Sequence, residues 1–117
     1  MKSNNHTVKE HFVDRAPNVK AIYTAILQAA RKLGPVKEEP KKTSIHIVRK
    51  SAFAGVSTRK TSLILTIKSE SDVLNDRIAK REQASANRWH LEIKLQDSAE
   101  VDRELLGWLK KSYELAG

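Results

Sequence analysis

The apolar positions between Pro17 and Leu33 recur at spacings of three and four residues, which places them on one stripe of a helix. The members of this stripe are Val19, Ile22, Tyr23, Ile26, Leu27, Ala30 and Leu33. Proline is well tolerated in the first turn of a helix, and a glycine followed by a proline, as at Gly34 and Pro35, is the expected stop. The pattern therefore predicts a helix that ends at Gly34 with that glycine as a left-handed cap.

Beyond the stop signal the apolar period changes from that of a helix to that of a strand. Apolar and polar residues alternate over residues 44–47, 62–67 and 88–95. A short apolar run over residues 52–57 is bounded by polar residues on both sides and suits a hairpin partner. These runs predict four strands, whereas residues 38–40 between the helix and the first strand are interpreted as a connector.

The segment from Ser69 to Asn87 has two interpretations. Three apolar residues suit one face of a short helix: Val73, Leu74 and Ile78. Residues 77–84 equally suit a strand that turns through residues 85–87 into the run that contains Trp89. We favour the strand, which is the fifth of the predicted sheet.

The closing stretch again has the helical period, and its apolar stripe consists of Val101, Leu105, Trp108, Leu109 and Ser112. Asp97, with Glu100 three positions later, has the form of a capping box, which is a signal for the start of a helix. A second amphipathic helix is therefore predicted at the end of the chain.

The order of elements predicts an α+β fold: a helix, a four- or five-stranded antiparallel sheet, and a helix. Each helix has one apolar stripe and each strand one apolar face, so both helices are predicted to pack on one face of the sheet and to leave the other face exposed. A chain of 117 residues is about the size of one domain. We predict a single domain over residues 1–117, in which residues 1–16 form a flexible amino-terminal segment.

Four pieces of the chain resemble the bacterial domain-of-unknown-function family 5655. They are NVKAIYTAILQAARKLGPV, KKTSIHIVRKSAFAGV, LILTI and VDRELLGWLKKSYELA. Members of this family occur alone or at the carboxyl end of longer proteins, and some are labelled predicted transport proteins. The family is uncharacterised, so the resemblance implies no catalytic residues. It does imply a single compact module whose last pair of strands lies around Ile78 and Trp89.

Composition excludes several classes of protein. The chain has no cysteine, which rules out disulfides, thiolate catalysis and cysteine zinc sites. The longest nearly apolar run, residues 21–30, is too short for a bilayer, which requires about 20 apolar residues. Residues 1–12 lack the apolar core of a secretory signal. We therefore expect a protein of the cytoplasm with no membrane partner.

Motifs for catalysis are weak. The stretch GPVKEEPKKTS at residues 34–44 has a glycine, lysines and a threonine, but a phosphate-binding loop needs a glycine directly before its lysine and lies between a strand and a helix, not between a helix and a strand. No Gly-x-Ser-x-Gly motif is present. We predict no catalytic residue and no cofactor.

The four histidines do not form a convincing site. His6 and His11 lie in the polar amino-terminal segment and are interpreted as solvated side chains. His46 and His90 are expected on the outward face of their strands, as neighbours if those strands pair, but two histidines are too small a set for a metal site. An enzyme would need a pocket between the helices and the sheet with one of these two histidines at its mouth.

The net charge of +8 and the isoelectric point near 9.9 indicate attraction to polyanions. Ten residues at strand ends or on the uncovered sheet face are predicted to bind nucleic-acid phosphates: Lys41, Lys42, Arg49, Lys50, Arg59, Lys60, Lys68, Arg88, His90 and Lys94. His46 is expected on the same face. The leading hypothesis is a non-enzymatic module that binds DNA or RNA.

An alternative function uses the same face. Val48 and Ile64 are also expected to point outward among the basic residues, which favours a homodimer or a partner protein. The chain would then be a regulatory module that recognises an acidic protein or a small anion. The simplest interpretation is that these lysines and arginines are solvated charges that protect strand edges from aggregation.

Overall fold

A computed structural model of the chain describes residues 6–117. One α-helix precedes six strands and a second one follows them. The elements are α1 (Pro17–Leu33), β1 (Lys37–Pro40), β2 (Ile45–Val48), β3 (Ala52–Thr58), β4 (Leu63–Ser69), β5 (Ile78–Ser85), β6 (Arg88–Leu95) and α2 (Arg103–Leu115). Short 3-10 helices, Lys9–Phe12 and Ser98–Glu100, precede α1 and α2. The predicted α+β class is confirmed.

All six strands form one antiparallel sheet in the order β1-β2-β3-β4-β6-β5. The prediction of four or five strands was wrong because the residues interpreted as a connector form β1. This short strand pairs with β2 from Lys37, opposite Val48, to Pro40, opposite Ile45. A proline is compatible with the outermost strand of a sheet, where one side of the backbone has no ladder partner.

Side chains of α1 hold β1 in place. The Tyr23 hydroxyl donates a hydrogen bond to Glu38 Oε2 at 2.5 Å, and Arg31 Nη2 lies 3.6 Å from Glu38 Oε1. Burial, together with the hydrogen bond to Glu38, raises the pKa of Tyr23 above its ordinary value, so the phenol keeps its proton. Glu38, which was interpreted as part of a connector, is thus bound to the first helix. The hydrophobic periodicity of the sequence does not reveal this contact.

The strand interpretation of residues 77–84 is confirmed by β5, which pairs with β6. The helical alternative was wrong. Leu74 is 90% exposed in the loop between β4 and β5, whereas Ile78 is buried. Arg81 on β5 pairs with Asp72 of that loop at 2.7 Å, which fixes the loop to the strand.

Both ends of α1 follow from the sequence, with one difference. Pro17 occupies its first turn, as predicted. Gly34 follows its last residue with φ 152° and ψ −169°, which is not the left-handed cap that we expected but a conformation nearly exclusive to glycine. A Cβ at this position would collide with the Tyr113 hydroxyl. The positive φ and the position of the Tyr113 side chain therefore both favour glycine here.

The predicted capping box is present but caps a different helix. Asp97 and Glu100 exchange hydrogen bonds around the 3-10 helix Ser98–Glu100. The long helix α2 begins later, at Arg103, and its N-cap is Asp102, whose side chain accepts from Leu105 N at 3.1 Å. Two helices therefore begin within six residues of each other. The capping box found in the sequence belongs to the first of them, the 3-10 helix.

One cluster of buried side chains joins both helices to the sheet. Its helix members include Ile22, Ile26, Leu105 and Leu109, and its strand members include Ile45, Ile47, Val56, Leu63, Leu65, Leu91 and Ile93. These strand positions alternate, as the period of two predicted. Within residues 6–117, neither helix has the length and apolar character that a bilayer span requires.

The N-cap of α2 gives the fold a predictable response to acid. A hydrogen bond from the Leu105 backbone and another from Arg77, 2.9 Å away, hold the pKa of the Asp102 carboxyl below its ordinary value. A carboxyl with a lowered folded-state pKa contributes stability above its unfolded pKa, and this contribution is lost as the pH falls through the folded-state pKa. Acid should therefore weaken the start of α2.

We expect the melting temperature of the wild type to fall more steeply below about pH 4 than that of Asp102→Asn, because asparagine keeps the cap but has no charge to lose. Asp102→Ala should melt at a lower temperature than Asp102→Asn at neutral pH. Thermal unfolding followed by circular dichroism between about pH 3 and 7 checks both points. Parallel pH profiles for wild type and Asp102→Asn would contradict the assignment.

Candidate functional site

Strand residues that alternate with the buried ones form a partly or fully exposed sheet face, which we name the outward surface, and its middle is not basic. One row of paired residues crosses the sheet from β1 to β5: Glu39, His46, Gly55, Thr66, Glu92 and Lys80. This row has two carboxylates and one lysine. Its charge does not favour a polyanion, and it divides the predicted basic residues into two groups.

The first group, which we name the hairpin-end cluster, consists of Lys41, Lys42, Arg59, Lys60 and Lys94. Lys41 and Lys42 lie in the turn between β1 and β2, and Arg59 and Lys60 lie in the turn between β3 and β4. Antiparallel pairing brings these two turns to the same end of the sheet. Lys94 joins them because it pairs with Ile64, which in turn pairs with Ser57 near the end of β3.

The second group, the helix-end cluster, lies at the opposite end and consists of Arg49, Lys50, Lys68, Arg88 and His90. Several of its members already have partners. The Arg49 guanidinium lies 4.3 Å from the centre of the Tyr113 ring and donates a hydrogen bond to Tyr113 O. Lys68 donates to Ser51 Oγ at 3.3 Å. The contacts of Arg49 connect the turn between β2 and β3 to α2, and the contact of Lys68 connects β4 to the same turn. Both contacts leave fewer free donors for a ligand.

The hairpin-end cluster borders a cavity of about 450 Å³, which we name the hairpin-end cavity. It is lined by Glu10, His11, Arg15, Lys42, Thr43, Ser57, Thr58 and Arg59. His11 and Thr58 are buried, whereas Lys42 and Arg59 are exposed. Glu10 is exposed as well, so the cavity has a fixed floor and a mouth that bears two cations and one carboxylate.

Hydrogen bonds between distant parts of the chain fix that floor. The Thr58 hydroxyl donates to His11 O at 2.6 Å, and Arg15 Nε donates to Thr58 Oγ1 at 3.1 Å. His11 Nε2 lies 2.8 Å from Lys41 O, and because a carbonyl can only accept, this ring nitrogen carries the proton. The segment before α1 thus binds both sheet turns and positions Arg15 and His11 between them.

The cavity is positive. Arg15, Lys42 and Arg59 face it, and Glu10 is the one carboxylate among its lining residues. The Thr7 backbone N–H, 3.0 Å away, and the His6 ring, 2.8 Å away, bind the two oxygens of Glu10 and lower the pKa of this carboxyl. Arg59 Nη1 donates to Ser57 Oγ at 2.7 Å, which orients its guanidinium beside the cavity.

Sequence reasoning missed the contribution of the amino-terminal segment to this site. His11 was interpreted as solvated, but it is only 8% exposed, and Arg15 and Thr58 were not among the predicted site residues. Residues 6–16, part of the segment predicted to be flexible, make the contacts described above; residues 1–5 lie outside the described residues. The spacing of Val8 and Phe12, both packed against the core, is the signal that could have indicated an ordered turn.

The two sheet histidines are not neighbours, because β3 and β4 lie between β2 and β6. His46 and His90 instead line a depression of about 310 Å³ above Gly55 on the outward surface. Neither lines the cavity of about 480 Å³ between Trp108 of α2 and Leu91 of the sheet, so this cavity lacks the histidine that the enzyme alternative expected at its mouth. In the described part of the chain, no three His, Asp or Glu side chains are close enough to hold a metal ion.

The outward surface offers little apolar area to a second copy of the chain. Val48 is 8% exposed and is already buried within the chain, and Ile64 is partly buried. Among residues 6–117, the large hydrophobic side chains that are well exposed are Val13, Leu74 and Leu106, none of which belongs to a strand.

Comparison with known proteins identifies a family but no characterised relative. No curated protein and no solved structure matches the chain significantly. One family is matched over residues 8–116, from the turn that carries His11 to the end of α2, so the match includes both basic clusters. This confirms the resemblance that the sequence pieces indicated. The chain belongs to the family described as Domain of unknown function (DUF5655).

Proposed function

We propose that this chain is a non-enzymatic binding module that contacts the phosphates of DNA or RNA through the hairpin-end cluster. The observation that carries the proposal is the convergence of Arg15, Lys42 and Arg59 on one cavity whose single carboxylate is already bonded to other groups. The proposal assigns the chain to the cytoplasm, where such a ligand is accessible.

The proposal includes a two-layer architecture in which both helices cover one face of the sheet. Its support is the single buried cluster that joins α1 and α2 to alternate strand residues, while the intervening residues are partly or fully exposed. The helices then leave the outward surface and the hairpin end free for a large ligand. Lys60 and Lys94 extend the positive surface from the cavity mouth toward β4 and β6.

The contacts are expected to be electrostatic and independent of base sequence. Lysine and arginine neutralise phosphates and release counterions, which supplies most of non-specific affinity. Base stacking has no support in the described residues: Tyr23, Phe53 and Tyr113 are buried, and the remaining rings, Phe12, Trp89 and Trp108, pack against the core.

The test is equilibrium binding of the full chain to labelled heterologous DNA and RNA oligonucleotides while the salt concentration is raised from roughly 50 to 200 mM. We expect saturable binding at the lower concentration and a steep loss of affinity as salt competes for the phosphates. Absence of binding at the lowest salt concentration would count against the proposal and leave a small anion or an acidic protein as the ligand.

A further inference from the structure

We propose that the hairpin-end cavity holds a terminal phosphate group, the phosphomonoester at the 5′ end of a nucleic-acid strand. This inference rests on the proposed function and assigns the cavity a role distinct from that of the surrounding cluster. The cluster contacts internal phosphates of any strand, whereas the cavity selects strands by their end.

The shape of the cavity favours a group that is attached on one side only. The buried residues His11 and Thr58 form its floor, and its open mouth lies among the exposed residues Glu10, Lys42 and Arg59. An internal phosphodiester continues into a sugar on both sides and is best bound on an open surface. A terminal phosphate can reach the floor of such a concave site while the rest of the strand stays outside it.

The donors of the cavity also fit a phosphomonoester. Arg15 uses Nε to bind Thr58, and neither of its terminal nitrogens has a hydrogen-bond partner among residues 6–117. Lys42 likewise has no ion pair there, and Arg59 has Nη2 free of such contacts. A phosphomonoester presents three acceptor oxygens and a charge between about −1.5 and −2 at neutral pH, which matches several converging cations better than a singly charged diester does.

A path for the attached strand leads away from the cavity over the sheet. Ser57, which lines the cavity, pairs with Ile64, and Ile64 pairs with Lys94. Lys94 is exposed and is placed to meet a following phosphate, and Lys60 lies in the adjacent turn. With the terminal phosphate in the cavity, the chain of nucleotides extends from it toward β6.

The experiment compares two oligonucleotides of about 12 nucleotides, labelled at the 3′ end, that differ only in carrying a 5′-phosphate or a 5′-hydroxyl. Fluorescence anisotropy with the full chain is expected to show about tenfold or more tighter binding of the 5′-phosphate form, because charge-assisted hydrogen bonds are lost with the phosphate. Competition by an unlabelled 5′-mononucleotide distinguishes a strand end from a free nucleotide as the source of the group. If only the phosphorylated strand displaces the labelled oligonucleotide, the bound phosphate belongs to a strand end. If the mononucleotide displaces it equally well, a strand end is not the source of the phosphate.

Variants of Arg15, with a control variant on α2, test whether the preference for the 5′-phosphate oligonucleotide arises at the hairpin-end cavity. Arg15→Gln should bring the affinity ratio of the two oligonucleotides close to one, and Arg15→Lys, which keeps the charge but loses the two-nitrogen fork, should give an intermediate ratio. Lys110→Gln, an equal charge change on the exposed surface of α2, should preserve the ratio. Circular dichroism confirms that each variant is folded.

The two proposals fail differently. Equal affinity of wild type for both oligonucleotides overturns the terminal-phosphate site and leaves the proposed function standing. Binding of neither oligonucleotide overturns the proposed function itself.

Discussion

Neutralising three cations of the hairpin-end cluster, in the triple variant Lys42→Gln, Arg59→Gln and Lys94→Gln, is expected to weaken binding of DNA or RNA about 100-fold at roughly 50 mM salt. Each cation that neutralises a phosphate releases counterions, so the loss of three contacts also reduces the slope of log affinity against log salt by about one for each contact. All three side chains are exposed, so their replacement leaves the buried core unchanged. Anisotropy titrations at several salt concentrations give both quantities.

The matched control is the triple variant Lys50→Gln, Arg88→Gln and Lys110→Gln, which changes the net charge by the same amount at other exposed or partly exposed sites. We expect it to lose no more than about fivefold in affinity, from the weaker long-range field. Equal losses in the two triple variants would show that net charge, and not the hairpin end, determines binding.

Ser112→Ala is expected to lower the free energy of unfolding by about 2–4 kcal/mol, because two backbone groups lose their partner. Ser112 is fully buried in α2. Its hydroxyl donates to Phe53 O at 2.5 Å and accepts from Lys68 N at 2.8 Å, so it links β3 to β4. Phe53 is the extra residue of a bulge between β2 and β3, where Ile47 pairs with Ala54 and Val48 with Ala52. Pairing of β3 with β4 ends at Ala54 and Ile67, and the serine bridges the next residues of the two strands, Phe53 and Lys68.

Chemical denaturation followed by circular dichroism measures the effect, and Ser51→Ala is the control. Ser51 is exposed and its hydroxyl accepts only from the Lys68 ammonium at 3.3 Å, so its loss should change the free energy of unfolding by less than about 0.5 kcal/mol. If Ser112→Ala is as stable as Ser51→Ala, the two backbone groups must find other partners and the bridging role of Ser112 is wrong.

Local periodicity predicted most of the fold. We expected one apolar face of the helix from Val19 to Leu33 to be buried, and likewise one face of the strand from Leu63 to Ile67. One cluster of buried side chains contains residues of both faces. The same reasoning missed β1, because its sequence KEEP has no apolar alternation. That strand is joined to the rest of the fold by its pairing with β2 and by the bond between Tyr23 and Glu38, which lie fifteen positions apart.

The candidate site was less predictable because it depends on register and on long-range contacts. The sequence indicates ten basic residues, but only the strand pairing shows that Glu39 and Glu92 lie in a row between two groups of them. Arg15 and His11 come to the cavity through hydrogen bonds to Thr58 and Lys41, which are 43 and 30 residues away. No local pattern encodes separations of that size.

The salt dependence of wild-type binding to a DNA duplex tests the central claim most directly. A chain that contacts three or four phosphates predicts a slope of log affinity against log salt of about −3, which corresponds to roughly 100-fold weaker binding at 200 mM than at 50 mM salt. Measurable binding with that slope would support phosphate contact by the hairpin-end cluster. No binding at the low-salt end, or an affinity that does not change with salt, would contradict it.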